Sequence, residues 1–434
     1  MVVEALAGNV RGTYMRYDTA VILKRLFLVE RMLVVSQAGW LPGIADFNMK
    51  TALPKMLWED ALTADALRER VFELRFPNRM LEIGDDAPLV NLLRFAQAAP
   101  SAPAFLMALA KVFKPALRKA FNSYLELADD LGDGPTYRFM RLATEELRGH
   151  IEQIEASLAR VFETDPEEGR RSADWVRRLQ QLLAEIGGIG LDPPRAGSDL
   201  PALERPFTPA ETPARDAQFH NLRFYWPDII DPTFPYGEGL RLQLRSAVSH
   251  FNEVWAVENA GFILHTYADD LGWEFIRDAA RWVYDESRHV RMGYERLKTW
   301  GFEDRELPLG TYIYDSCRGQ DPLYRIGMLF YFESKNIGKK MERKKSFELL
   351  EDRMSQHDMD FDWADESIHT SYGKTWLSAL LKLRGENPED YTAIKTECER
   401  LVAAVLETAE ERERVEVRRV AEHMIERAQQ LARR

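Results

Sequence analysis

Apolar residues recur along this chain at the three- and four-residue spacing of a helical face. No stretch alternates with the period of a half-buried strand. Ile22, Leu26, Val29 and Leu33 mark the first such face. The spacing predicts helices over about 14–38, 55–75, 88–98, 102–131, 136–163 and 171–186, the last stopped by Gly187, Gly188 and Gly190. Residues 191–213 carry six prolines and no period, as in a linker or a surface strap. Residues 221–238 add aromatic side chains to the prolines and are expected to pack as irregular structure. Helical spacing returns over 239–269, 273–300, 319–347, 360–383 and 388–432, with Gly385 as a stop and Pro388 as a start before the last. Val417, Val420, Met424, Ala428 and Leu431 keep one apolar stripe on that final helix, and its many charges read as a solvated face. The expectation is an all-α protein. It comprises a helical N-terminal domain (1–190), a strap (191–238), a second helical domain (239–385) and a long C-terminal helix (386–434).

Within the second domain a short motif occurs twice, Asp-Glu-Ser-Arg-His at 285–289 and Asp-Glu-Ser-Ile-His at 365–369. Residues three apart share a helical face, so Glu286 and His289 point one way, as do Glu366 and His369. A carboxylate and an imidazole on one face can ligate one ion. Two further carboxylates sit in unusually apolar surroundings. Glu258 lies among Val254, Trp255, Val257, Ala260, Phe262 and Ile263, and Glu333 follows Met328-Leu329-Phe330-Tyr331-Phe332. Burying either without a partner is costly. Taken singly, each is better read as a carboxylate on the polar side of an amphipathic helix. Together the segments give the order Glu, Glu-x-x-His, Glu, Glu-x-x-His.

On these residues the stretch of about 215–385 resembles the ferritin-like superfamily, and within it the bacterial family called domain of unknown function 455. The runs NEVWAVE (252–258), DESRHV (285–290), FES (332–334) and DESIHT (365–370) carry the likeness. The resemblance implies a C-terminal ferritin-like four-helix bundle holding two metal ions. It makes Glu258 and Glu333 terminal carboxylates, Glu286 and Glu366 bridges, and His289 and His369 one ligand to each ion. Four carboxylates would balance two divalent cations, and the mixed oxygen and imidazole set suits iron or manganese. Asp285 and Asp365 each precede a bridging Glu by one residue. Asp365 is expected to accept from the outer nitrogen of His289, and Asp285 from that of His369, fixing each ring. Arg288 reads as a structural ion-pair partner, and His250 as hydrogen-bonded structure near the site's rim. Trp255 and Phe262 are candidate pocket residues, with core packing the plainer reading of both.

The first half suggests a faded copy of the same arrangement. Glu30, Glu59, Glu126, Glu146 and His150 occupy comparable helices, but no Glu-x-x-His occurs there. A covering, substrate-shaping or dimer-supporting domain is expected instead, and the cluster Lys111, Lys114, Arg118 and Lys119 is read as a solvated face.

Composition narrows the chemistry. A net charge of -12 gives no basic footprint for nucleic acid, and two cysteines, Cys317 and Cys398, exclude a disulfide framework or a thiolate-held cluster. The N-terminal MVVEALAGNVRG lacks the pattern of a secretory leader and no run is apolar enough for a membrane span, so a cytoplasmic protein is expected. The expected function is an O2-activating non-haem diiron oxidoreductase acting on a small organic substrate by hydroxylation, N-oxygenation or desaturation. Manganese–iron is the variant metal pair. Electrons would come from an external donor, because the chain has no dinucleotide fingerprint. The alternative is an iron-handling ferroxidase.

Overall fold

The computed structural model describes residues 11–197, 200–203 and 206–433. Most of the N-terminal stretch read for a leader lies outside them. Among the described residues the fold is all-α, apart from one two-residue parallel pairing. The chain divides into two compact units. One takes the chain up to Ser36 and Glu59–Phe207; the other takes Gln37–Trp58 and everything from Thr208.

The first unit is built on α1 (Arg16–Trp40), α2 (Phe47–Leu74), α3 (Ala87–Ala96), α4 (Ala102–Ala108), α5 (Lys114–Leu127), α6 (Gly134–Thr164) and α7 (Pro166–Glu185). The last turn of α1 and the first half of α2 belong to the second unit. Apolar faces of these helices supply the buried Leu26, Val29, Leu93, Leu117, Phe121, Leu147 and Leu179. The helix expected over 102–131 is interrupted by a π turn at Leu109–Phe113 and ends at Leu127. Asp165 starts α7 by accepting from the Glu168 N–H at 3.0 Å.

The second unit contains α8 (Leu240–Phe251), α9 (Val254–Thr299), α10 (Tyr312–Asp315), α11 (Leu323–Leu349), α12 (Arg353–Leu383), α13 (Tyr391–Glu407) and α14 (Glu411–Leu431). Residues 221–238 do pack: Phe224, Tyr225 and Trp226 are buried. This segment is anchored by β1 (His220–Asn221) running parallel to β2 (Pro308–Leu309). α9 kinks at Gly272, whose φ of 80° suits glycine.

Two expected helices are broken. The helix of 239–269 stops at Asn252, whose side-chain amide donates to the carbonyls of Val248 and Pro308, both at 2.9 Å, and whose Oδ1 accepts from Gly310 N–H at 2.7 Å. These bonds hold the backbone in a turn where apolar periodicity alone would run on. The helix of 388–432 is two, α13 and α14, separated where Glu410 and Glu413 form a reciprocal capping box.

Gly293 on α9 marks the closest approach to α8. A Cβ there would meet Phe251 N at 2.2 Å and Ala247 O at 2.5 Å, both backbone atoms. Gly293→Ala is expected to lower stability in denaturant unfolding by about 2–3 kcal/mol, because one helix must move off the other.

Candidate metal centre

α9 and α12 present their repeated motifs to each other, and α11 adds Glu333 beside them. Every side chain of this cluster lies in the second unit. His289, His369, Glu286, Glu333 and Glu366 are each at most 4% exposed. His369 Nδ1 lies 3.1 Å from Glu286 Oε1 and 3.8 Å from Glu333 Oε1. His289 Nδ1 lies 3.5 Å from the other oxygen of Glu286, 3.4 Å from Glu253 Oε2 and 3.5 Å from Asp362 Oδ1. Four triads of potential ligands result, Glu253–Glu286–His289, Glu286–Glu366–His369, His289–Asp362–Glu366 and His250–Glu253–Asp362, with the donor atoms of each within 4.8 Å of one another. Glu286 is common to the first two.

Of the six ligands named from the sequence, five meet in this cluster. Glu258 does not. Its carboxylate is fully buried between Lys50 and Arg215; Oε1 accepts from both, and Oε2 accepts from Arg215 Nη2 at 3.0 Å. Lys50 and Arg215 also donate to the carbonyls of Ala214 and Gly310, so Glu258 fastens the start of the strap to α2. Glu253 reaches the cluster instead. It caps α9 at the break after Asn252, which turns its side chain toward His289.

Asp365 Oδ2 lies 3.3 Å from His289 Nε2, and Asp285 Oδ2 lies 3.4 Å from His369 Nε2, the crossed pairs named above. Each aspartate is matched by arginine. Arg281 donates to Asp285 at 2.6 Å, and Arg288 donates to Asp285 and, at 2.8 Å, to Asp365. Both outer nitrogens are thereby committed, and each ring turns Nδ1 inward. Asp365→Ala is expected to weaken metal binding by about 10- to 100-fold, measured by competition with a coloured chelator, because His289 loses the group that orients it.

Two participants escaped the sequence reading. Asp362 sits one turn before Glu366, and Lys340 of α11 donates to Asp362 Oδ1 at 2.5 Å and to Glu366 Oε1 at 2.7 Å. Lys340 lies in the run Lys339-Lys340-Met341-Glu342-Arg343-Lys344-Lys345, which looks like a solvated face, yet it is 4% exposed. The one-turn spacing of Asp362 and Glu366 was the available signal. His250 Nε2 donates to Asp362 Oδ2 at 3.0 Å and its Nδ1 accepts from Arg296 Nη2 at 2.6 Å, a structural position beside the cluster. The Trp255 ring packs on Phe332 with centroids 5.1 Å apart and lines the adjoining cavity. Phe262 instead packs under the Arg325 guanidinium, 4.2 Å away.

The electrostatics are those of a side-chain cluster that could hold cations. In ordinary ionised form, Glu253, Glu286, Glu333, Asp362 and Glu366 face one ammonium, Lys340. That leaves four negative charges, the complement of two divalent ions. Without ions, burial and crowding shift the groups strongly. Burial lifts Glu366 to about 7, with Lys340 opposing and Asp362 and Glu286 reinforcing. Burial, then Glu366, raises Glu333 well above the carboxylate range. Burial also opposes charge on His369, but Asp285, Glu286 and Glu333 outweigh it and lift the imidazole to about 10. Burial opposes charge on Glu286 too, and the two histidines bring it down to about 2. Moreover Glu253 Oε2, His289 Nδ1, Glu333 Oε2, Glu366 Oε2 and His369 Nδ1 are buried and make no well-aligned hydrogen bond. Five orphaned donor atoms converging on one volume fit a metal pair, since isolated polar atoms are rarely left so.

The first unit holds a different cluster. His150 Nε2 lies 2.8 Å from Glu59, and Asp60 accepts from Lys114 at 2.6 Å; the same ammonium lies 3.1 Å from His150 Nδ1. Lys114 is fully buried, against the expected solvated face. Glu30 is buried nearby and raised well above its ordinary value by burial and by Asp60. Here a lysine supplies the cation. Glu126 is exposed.

Fold and cluster together define an all-α protein with a buried carboxylate–histidine centre. Residues 205–418 match the family model described as protein of unknown function (DUF455), and this span takes in every residue of the centre. No curated protein and no solved structure matches the chain.

Proposed function

We propose that the second unit is a ferritin-like dinuclear centre and that the protein is an O2-activating oxidoreductase of a small organic substrate. The pair of triads sharing Glu286, with four orphaned donor atoms of their own and a fifth on Glu333, carries this reading. Glu253, Glu286 and His289 would hold one ion and Glu286, Glu366 and His369 the other, with Glu333 beside His369. Iron, or manganese with iron, suits such oxygen and imidazole donors. The bound ions would supply dioxygen activation and oxidation of a C–H or N–H bond. The chain's own side chains do the rest. Asp285 and Asp365 fix the ring orientations. Arg281 and Arg288 neutralise Asp285 and Asp365, and Lys340 is shared between Asp362 and Glu366. Trp282 donates to Glu333 Oε1 at 2.7 Å and holds that carboxylate in place.

A cavity of about 720 Å³ reaches Glu253, Glu286, Glu333 and Glu366, and aromatic side chains line its wall. That space favours an organic substrate over the alternative, an iron-handling ferroxidase, which needs only a path for ions. Electrons would come from a separate donor. Among the described residues no helix is long and apolar enough to cross a membrane, and a cytoplasmic protein remains part of the proposal.

Elemental analysis after reconstitution with Fe(II) or Mn(II) is expected to find two ions per chain, and Glu286→Ala is expected to hold none. A wild-type protein that retains no metal would end the proposal. Unlimited Fe(II) oxidation with accumulating ferric product would favour the ferroxidase.

A further inference from the structure

The same cavity contains a second feature that the metal centre leaves unused. Arg245 lies on α8 and is 6% exposed. Its Nε donates to both oxygens of Asp228, at 3.0 and 3.2 Å. Its guanidinium sits between two tyrosine rings, 5.5 Å from the centroid of Tyr225 and 5.0 Å from that of Tyr236. The other end of the fork is unfilled: Nη1 is buried and donates to nothing, and the Tyr236 hydroxyl also has no partner. Both residues line the cavity, as do Glu253, Glu286, Glu333 and Glu366. A buried guanidinium N–H left without an acceptor is costly, and a carboxylate is the acceptor whose geometry it fits.

We propose that this cavity binds an organic carboxylate, its charged group on Arg245 Nη1 and the Tyr236 hydroxyl and its flat apolar body between there and the metal centre. The proposal rests on the functional reading for what becomes of the ligand, but not for its binding. Arg245 and Ser249 are one turn apart on α8, and Glu253 follows just past its end. From Arg245 to the last residue of the helix, Phe251, is about 9 Å of helical rise. Allowing for side-chain reach from both ends, this suits a body of one aromatic ring or a short chain. Trp255 and Phe332 offer it an aromatic wall.

Calorimetric titration of the full chain, as purified and after chelation, with benzoate, 3-phenylpropanoate and the neutral benzamide tests this. At least one of the two acids is expected to bind saturably in both preparations, and at least tenfold more tightly than benzamide. Arg245→Gln is expected to weaken it tenfold or more. The double variant Arg245→Gln/Asp228→Asn spares the fold an unpaired aspartate and should show the same loss. Failure of both acids to bind the wild type, equal binding of benzamide, or full affinity in the double variant would overturn the proposal. Because binding is read in chelated protein, a failed metal analysis would leave this result standing, and a negative titration would leave the metal result standing.

Discussion

Glu253→Ala is expected to cost the protein metal, and Glu258→Ala is expected to leave both ions in place. The first removes the only carboxylate of its triad contributed from outside the paired motifs. Occupancy should fall from two ions per chain toward one, read by elemental analysis after reconstitution and desalting. The second removes a buried anion that faces two buried cations, Lys50 and Arg215, and touches no member of the cluster. Its cost should appear as stability, about 3–5 kcal/mol in denaturant unfolding, because two charges lose their partner inside the protein. Glu258→Gln should lose less, as it can still accept from one of them. The reverse outcome, metal lost with Glu258 and kept without Glu253, would mean that the chain rearranges around the ions and would remove the assignment made here.

The second large effect belongs to the other unit. Lys114→Met should destabilise it by about 3–5 kcal/mol, because Asp60 would then be buried without the ammonium that faces it. The metal content of the second unit should not change. Burial alone would raise Asp60; Lys114 and His150 overcome it and hold the carboxyl at about 2 against an ordinary 3.8. The sign follows: the stability contributed by Asp60 is complete above pH 3.8 and is lost as pH falls through about 2. Acid unfolding followed by circular dichroism should show this limb in the parent and lack it in Lys114→Met.

These two cases show what the sequence could and could not say. The helices were readable because their apolar periods are long. The paired motifs were readable because Glu286 with His289 and Glu366 with His369 need only local geometry. An apolar setting is a sound sign of burial, and Glu258 is indeed buried. Burial does not say by what a charge is met, and the partners, Lys50 and Arg215, come from distant parts of the chain. Glu253 was hidden by the helix break, which no Gly or Pro announces. It is made by an asparagine side chain bonding to residues 308 and 310. Lys114, expected on a solvated face, lies in a cluster of basic residues, and only the tertiary fold decides which member of such a cluster turns inward, as it also does for Lys340. By contrast, the capping pair Glu410 and Glu413 was written in the sequence, and the final helix could have been divided there.

The turn at Asn252 has a bearing on how the centre can flex. Glu286, His289, Glu333, Glu366 and His369 all project from helix interiors, where displacement means unwinding a hydrogen-bonded ladder. Glu253 stands at a joint between two rods, held by one amide side chain to a loop. Of all the donors it can swing at the least expense, so a ligand pressing on the cavity wall would be felt first through that carboxylate. Changes at Asn252 or Gly310, neither of which touches the ions, should therefore retune the centre more than their distance suggests.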